Sequence, residues 1–418
     1  MKKLGKYSMG LGDRFGRQAE AQLKAIIDAG KNGIEITPVW NKSNREHIII
    51  GTEPGDVRKE ADAAVKTMKF NKPYFVDADH INFDTVGRFI EASDFFTIDV
   101  ASYIGQKSCD MDIDTFIKYA EKYRGKLSIQ GIPKPFNITG TYLRQVAEKY
   151  LFATKMAGII YRKIEKLKGQ GNFVTEVSMD EVSEPQTPAE LFFILMMLSI
   201  EKIPLQTIAP KFQGRFNKGV DYVGNPELFA LEFETNLLVI RHAVKLFNLP
   251  ENLKISVHSG SDKFSLYPHI GRIIRKYDAG IHLKTAGTTW LEEVTGLALA
   301  GGEALAFVKE IYQSAYEKID ELCAPYADVI DIKKERLPSP AEVMKWDSKK
   351  FASAIIHDSN NLNYNPDMRQ LIHVGYKLAA LKINEYLELL EKNKDIVSKC
   401  VYENIYNRHI CRLFGIKE

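Results

Sequence analysis

The pair Asp79-His80 closes the apolar run Tyr74-Phe75-Val76-Asp77-Ala78. It sets a proton acceptor beside a metal ligand at the point where a buried strand would emerge. Three later apolar runs also carry reactive groups at or near their ends, Glu176, His258 and Lys284. Imidazole and carboxylate ligands suit a divalent cation such as Zn, Ni, Mn or Co, with a position left open for substrate. The candidate metal set is His80 and His258, completed by Glu176 or His282. Asp79 is read as the preferred acid/base, with the carboxylate that orients His80 as its other reading. Glu176 is costly to bury unless paired or metal-bound, and it joins Asp99 and Asp262 as a candidate for proton transfer.

Groups suited to a substrate's carboxylate, phosphate or hydroxyls are Asp13, Arg14, Lys42, Arg45, Lys211 and Lys284. Ser259 and Ser261 lie in His258-Ser259-Gly260-Ser261-Asp262. That stretch reads either as an anion-binding turn with free backbone amides or as an ordinary strand–helix turn rich in capping residues. Asp180 and Glu181 read as solvated loop charges or a helix start. His47, His242 and His409 fall on helices or their flanks, and His357 and His373 reach the site only if the C-terminal region folds over it.

Elements that would position these groups follow from short β-like runs alternating with helical patterns. Strands are expected at 6–10, 33–39, 73–79, 95–100, 174–178, 205–209, 254–258 and 280–284, with Pro38 a candidate stop for the second. Helices are expected at 14–29, 56–68, 84–91, 141–167, 188–200 and 226–247. Parallel strands need helix-sized crossovers, so the pattern argues for a closed (β/α)8 TIM barrel over residues 1–302. A ninth β-like run, 126–130, belongs to an insertion near 105–170. From 303 to 418 the pattern is helical (303–322, 340–346, 368–392 and 395–406), a C-terminal extension or cap. The competing architecture, an open doubly wound sheet, calls for GxGxxG after the first strand. Gly10-Leu11-Gly12-Asp13-Arg14-Phe15-Gly16 does not have that spacing.

The chain has 418 residues, 45% hydrophobic and 27% charged, with a net charge of +3. Acids and bases are interspersed, which gives no footprint for nucleic acid or an acidic membrane surface. Cys109, Cys323, Cys400 and Cys411 show neither CxxC spacing nor a disulfide framework, as expected in a reducing cytoplasm. No signal-length or membrane-spanning apolar stretch is expected. An enzyme, a small-molecule binding protein and a scaffold all fit this composition, and a homo-oligomer is compatible with it.

Four segments resemble the tagaturonate epimerase family of hexuronate catabolism: Gly10–Gly16, Pro38–His47, Val76–Ile81 and Phe95–Val100. The likeness runs over most of the chain. It implies an isomerase that interconverts D-tagaturonate and D-fructuronate. More distantly, the chain is similar to class II, metal-dependent aldolases. Their Asp-His pair after the third strand is like Asp79-His80, with the Asp an acid/base and the His a metal ligand. Their His-Gly-x-Ser-Gly is like His258-Ser259-Gly260-Ser261, and their Lys-Val-Asn followed by Thr is like Lys284-Thr285-Ala286-Gly287-Thr288. The histidine those aldolases carry after strand six is replaced here by Ala209-Pro210-Lys211, which leaves the third ligand to Glu176 or His282.

Together the two resemblances imply a retro-aldol/aldol epimerisation of the carbon β to the ketone, whose hydrogen enolisation does not acidify. Alternatives are a ketohexose 4-epimerase acting on tagatose or fructose, a class II-type aldolase, and a non-enzymatic subunit that stabilises an aldolase.

Overall fold

The computed structural model describes residues 2–259, 261–285, 288–358 and 360–416, with the backbone alone at Asp328. Ten strands appear in chain order: β1 (Tyr7–Gly12), β2 (Ile36–Ser43), β3 (Phe75–Ile81), β4 (Phe95–Asp99), β5 (Gly125–Leu127), β6 (Phe136–Ile138), β7 (Val174–Ser178), β8 (Thr207–Ala209), β9 (Lys254–His258) and β10 (Ile281–Lys284). Eight of them close a parallel barrel in the order β1-β10-β9-β8-β7-β4-β3-β2, while β5 and β6 pair antiparallel outside it. The chain therefore has the expected (β/α)8 TIM-barrel fold followed by a helical C-terminal region, and the β-like run near 126 belongs to a side hairpin.

Helices cover the barrel where the sequence supplies both an apolar face and a start signal. Pro188–Ile200 begins with a capping box from Thr187 and Glu190, and nearly every side chain in it is buried. Asn225 caps Pro226–Phe247 through the backbone amides of Glu227 and Leu228. The floor of the barrel is apolar, built from Leu4, Val39, Phe75, Phe95 and Val174. Above it the inward-facing positions turn polar, which confines the chemistry to the C-terminal ends of the strands.

Several expected boundaries are corrected. Pro38 does not stop β2: removing one ladder donor is tolerated because the strand pairs with both neighbours and runs on to Ser43. The first helix starts at Ala19 rather than Arg14. Asp13 draws Gly16, Arg17 and Gln18 into a turn by accepting their backbone amides at 2.8, 2.9 and 2.6 Å. Helices at Tyr267–Lys276, Thr288–Ala300 and Ser348–Ile355 went unassigned in the sequence pattern, and the run expected over 368–392 divides into Pro366–Val374, Tyr376–Leu381 and Ile383–Lys392.

Nor is the C-terminal region only a cap. Thr288–Ala300 shares an apolar core with it, through Trp290, Leu291 and Val294 against Phe307, Phe351 and Leu371. The last segment returns to the barrel, where Ile405, Ile410 and Leu413 join the main core and the Phe414 ring lies 4.8 Å from that of Tyr7.

Candidate active site

Asp79 and His80 are neighbours on β3, so a regular strand would point them to opposite faces. A bulge changes that. Ala78 pairs with Phe96 and Ile81 with Ile98, so β3 spends one residue more than β4 over the same interval. His80 takes up the difference in the left-handed region at φ +51°, an uncommon conformation for a residue with a Cβ and one concentrated at functional sites. Both side chains then reach the barrel mouth, with His80 Nδ1 donating to Asp79 Oδ1 at 2.8 Å.

A second carboxylate–imidazole pair faces the first. His258, at the end of β9, sets Nε2 2.8 Å from Glu176 Oε1 on β7, and the two imidazole centroids are 5.0 Å apart. Between the rings stands Asp180, whose Oδ1 is 3.5 Å from His80 Nε2 and 3.1 Å from His258 Nδ1. Neither contact has hydrogen-bond alignment, so both ring nitrogens are buried without a partner among the described residues. One ligand atom from each of His80, Asp180 and His258 lies within 4.8 Å of the others. Two unpartnered imidazole nitrogens converging on a carboxylate oxygen, each ring fixed from behind by an acid, fit a divalent cation.

Asp180 was missed as a candidate. Its signal is the period of two along β7: Glu176 points inward, so Ser178 and Asp180 share its face. The Ser178 hydroxyl donates to Asp180 Oδ1 and fixes the carboxylate. Asp180 takes the place expected for Glu176 or His282. Glu176 instead orients His258, and His282 lies beneath the site with Nδ1 2.9 Å from Ser8 Oγ and its ring against Phe95. Burial pushes the His282 imidazole down to about 3, so it is neutral.

Lys284 reaches the same centre with Nζ 2.8 Å from Asp77, 2.7 Å from Asp79, 3.3 Å from Glu176 and 2.6 Å from Thr97 Oγ. Expected as a substrate contact, it lines the mouth and is also the countercharge for three buried carboxylates. Burial opposes its charge, but Asp77, Asp79 and Glu176 hold the ammonium well above its usual range. Burial alone would raise Asp79; Lys284 and His80 hold it far below the carboxylate range. Burial likewise works against both ring charges, yet Asp79 and Asp180 hold His80 well above the usual value, and Asp180 and Glu176 bring His258 up to about 9. The field at this point favours positive charge.

Asp79, His80, Asp180, His258 and Lys284 line a cavity of about 720 Å³ at the barrel mouth, together with Arg14, Arg45, Asp99, Lys211, Lys218 and Tyr326. Asp99 accepts the Ala101 amide on Oδ1 at 2.9 Å, its one hydrogen bond among the described residues. Burial raises this carboxyl above its ordinary value, with His80 pulling the other way. Arg14 is held by Glu46 at 2.8 Å and His373 at 3.2 Å. Arg45, Lys211 and Lys218 have no carboxylate within ion-pair distance among the described residues.

Other expected site residues lie elsewhere. Asp13 is consumed by the turn that precedes the first helix. Lys42 is buried on the outward face of β2, where its charge bears on His47 and Glu60. The Ser259 hydroxyl donates to the Lys284 carbonyl at 2.6 Å, and Ser261 Oγ accepts the Gly219 amide at 2.9 Å. Both hydroxyls tie backbone together rather than facing the cavity. Gly260, Ala286 and Gly287 fall outside the described residues. Asp262 turns away from the mouth to meet Arg369 at 2.7 Å, His409 at 3.0 Å and His357 at 3.1 Å from the C-terminal region.

The sequence pattern of the family described as UxaE, tagaturonate epimerase, matches residues 1–413. The chain belongs to the tagaturonate epimerase family. It is accordingly an epimerase, an enzyme of the isomerase class. A tagaturonate/fructuronate epimerase from Thermotoga maritima is 28% identical over 424 residues, spanning 98% of this chain and 81% of that protein. Two glycerol-complexed crystal structures of fructuronate-tagaturonate epimerase from Cohnella laeviribosi superpose with TM-scores of 0.81 and 0.82 at 23% identity. They cover 98% and 100% of this chain, and the chain covers 81% and 83% of theirs. At that identity the likeness is one of fold. Among the described residues no helix is long and apolar enough to cross a membrane.

Proposed function

We propose that this epimerase interconverts D-tagaturonate and D-fructuronate by a metal-dependent retro-aldol/aldol cycle, as a cytoplasmic enzyme. The observation that carries the metal is the facing pair of carboxylate–imidazole couples, Asp79–His80 and Glu176–His258, whose free nitrogens converge on Asp180. His80, His258 and Asp180 are the groups that would hold it. A divalent cation there supplies Lewis-acid polarisation of the substrate ketone. Family membership supports the substrate pair, and the unpaired Arg45, Lys211 and Lys218 suit an anionic sugar better than a neutral one. The cysteines, in no disulfide among the described residues, fit a reducing compartment.

In this reading Asp99 is the acid/base. Asp79 engages both His80 and Lys284 through Oδ1 and is held ionised, which makes it a weak proton acceptor. Asp99 lines the cavity, has no hydrogen bond on Oδ2 among the described residues, and has its acidity reduced by burial. It takes the proton of the β-hydroxyl as the bond between the α and β carbons breaks. The bonding electron pair moves toward the ketone to leave an enediolate, and the β carbon becomes an aldehyde. After the aldehyde turns its other face, the bond re-forms and Asp99 returns the proton to the new hydroxyl oxygen. No proton is consumed overall.

The test combines metal analysis with fragment trapping. Purified enzyme should contain a divalent metal, lose turnover on chelation and regain it on metal addition. Quenching with a carbonyl trap during turnover should capture three-carbon fragments. A metal-free preparation with full activity sinks the metal reading, and complete absence of fragments sinks the cleavage.

A further inference from the structure

The C-terminal region contributes one wall of the cavity, and that wall is built around cation–aromatic contacts. Tyr326 and Tyr376 both line the mouth. Their hydroxyl oxygens are 3.3 Å apart. The Arg14 guanidinium lies 4.1 Å from the Tyr376 ring centre, and the Arg45 guanidinium 5.2 Å from that of Tyr326. Lys377 also approaches the Tyr326 ring, at 4.8 Å. Two arginines on the barrel are thus met by two tyrosines from beyond it.

The arginines are not equivalent. Arg14 is buried, and Glu46 and His373 take up its guanidinium. Arg45 is exposed and has no hydrogen-bonded or ion-paired acceptor among the described residues. Its donors are free, and its recorded side-chain contact is the Tyr326 ring. A guanidinium resting on an aromatic face keeps its in-plane N–H groups available, and that fork matches a carboxylate two bonds at a time. Tyr326 is itself held: 6% exposed, it is packed in the C-terminal core and tied to Tyr376.

We propose that Arg45 is the recognition group for the substrate's carboxylate and that Tyr326 is its positioning residue. The C-terminal region thereby gives the enzyme its preference for acidic over neutral ketohexoses. The inference rests on the substrate class proposed above.

The test measures KM and kcat for D-fructuronate and for D-fructose with Arg45→Gln, Tyr326→Phe, Tyr326→Leu and the double variant Arg45→Gln/Tyr326→Leu. Arg45→Gln should raise KM for the uronate about 10- to 100-fold, the scale of one charge-assisted pair, with kcat within about twofold. Fructose kinetics, where measurable, should not move. Tyr326→Leu should raise the uronate KM about 2- to 5-fold, and Tyr326→Phe, which keeps the ring but gives up the hydroxyl contact with Tyr376, should raise it less. In the Arg45→Gln background, Tyr326→Leu should add nothing, a non-additivity that a merely structural tyrosine would not produce.

An unchanged uronate KM in Arg45→Gln overturns the proposal, as does a fully additive double variant. If the parent turns over neither uronate, the substrate reading itself has failed. Binding of D-glucuronate against D-glucose by calorimetry then decides the inference: carboxylate-dependent binding lost in Arg45→Gln supports it, and its persistence overturns it.

Discussion

Two clusters in this molecule are built from the same residue types and do opposite things. At the barrel mouth, Asp180 stands between His80 and His258. In the loop that follows His258, Asp262 stands among His357, His409 and Arg369. The difference lies in what remains unsatisfied. At the mouth two ring nitrogens have no hydrogen-bond partner among the described residues, and their histidines border a cavity. In the second cluster both Asp262 oxygens are engaged: Oδ2 by His357 and Arg369, Oδ1 by His409, Asn404 and Thr288. Burial alone would raise Asp262, but Arg369, His357 and His409 hold it well below the carboxylate range. The second cluster is a lock between barrel and C-terminal region, with both oxygens of its central carboxylate taken up by the protein itself. Residue composition does not separate a site from a lock; open valences and access do.

The backbone bends to complete that lock. Asn404 and His409 are five apart, yet both reach Asp262 Oδ1, at 3.3 and 3.0 Å. An α-helix would present them on different faces. The segment Asn404–Cys411 is a π-helix, whose i→i+5 bonding aligns residues at that spacing.

The comparison breaks first, and by the largest effect, at the mouth. His258→Ala should lower turnover by more than about 100-fold, beyond the 10- to 100-fold typical of groups that only orient a ligand. It should also empty the enzyme of metal, as read by elemental analysis, with a smaller loss of stability than Asp262→Ala causes, because Glu176 keeps Lys284 at 3.3 Å. Asp262→Ala should do the reverse. Arg369, fully buried, then keeps Glu292 at 3.2 Å as its one acidic partner among the described residues, and breaking a buried pair this way costs about 3–5 kcal/mol. Denaturant midpoints should register that loss, with turnover per folded molecule and metal content unchanged. If Asp262→Ala instead behaves like His258→Ala, the two clusters are one functional unit.

How much of this was legible beforehand depends on which physics each feature uses. Val174–Ser178, Lys254–His258, Pro188–Ile200 and Pro226–Phe247 coincide with their expected bounds, because apolar runs flanked by caps are local signals. His80, His258 and Glu176 were placed near one another because strands of a parallel barrel all end at one rim. The bulge that turns Asp79 and His80 the same way was not legible, since it depends on β4 pairing out of step with β3. Asp262 and Lys284 were expected at the rim for a sound reason, their place at strand ends. Their partners, Arg369 more than a hundred residues away and Asp77 with Asp79 across the barrel, cannot be read from local pattern. Asp180 was within reach, because Glu176, Ser178 and Asp180 alternate.

The smallest effect concerns the third histidine near the mouth. His80 and His258 are held toward their charged forms by acids, whereas His282 is buried neutral, its value pushed from 6.5 down to about 3. Between those limits the unfolded chain binds a proton that the folded chain does not, so stability falls as pH drops through that window. His282→Gln removes the titration. Its stability should decline less steeply from pH 6.5 toward pH 4, the difference growing to a few kcal/mol at the acid end. At pH 7 the lost Ser8 contact should cost about 1 kcal/mol. Chemical denaturation across that pH range reads both effects. Metal content and turnover at pH 7 should stay at parent levels, because His282 donates to neither the cavity nor the converging nitrogens. Metal lost from His282→Gln would restore this histidine as a ligand and remove the contrast between an imidazole buried below the site and the two acid-backed imidazoles within it.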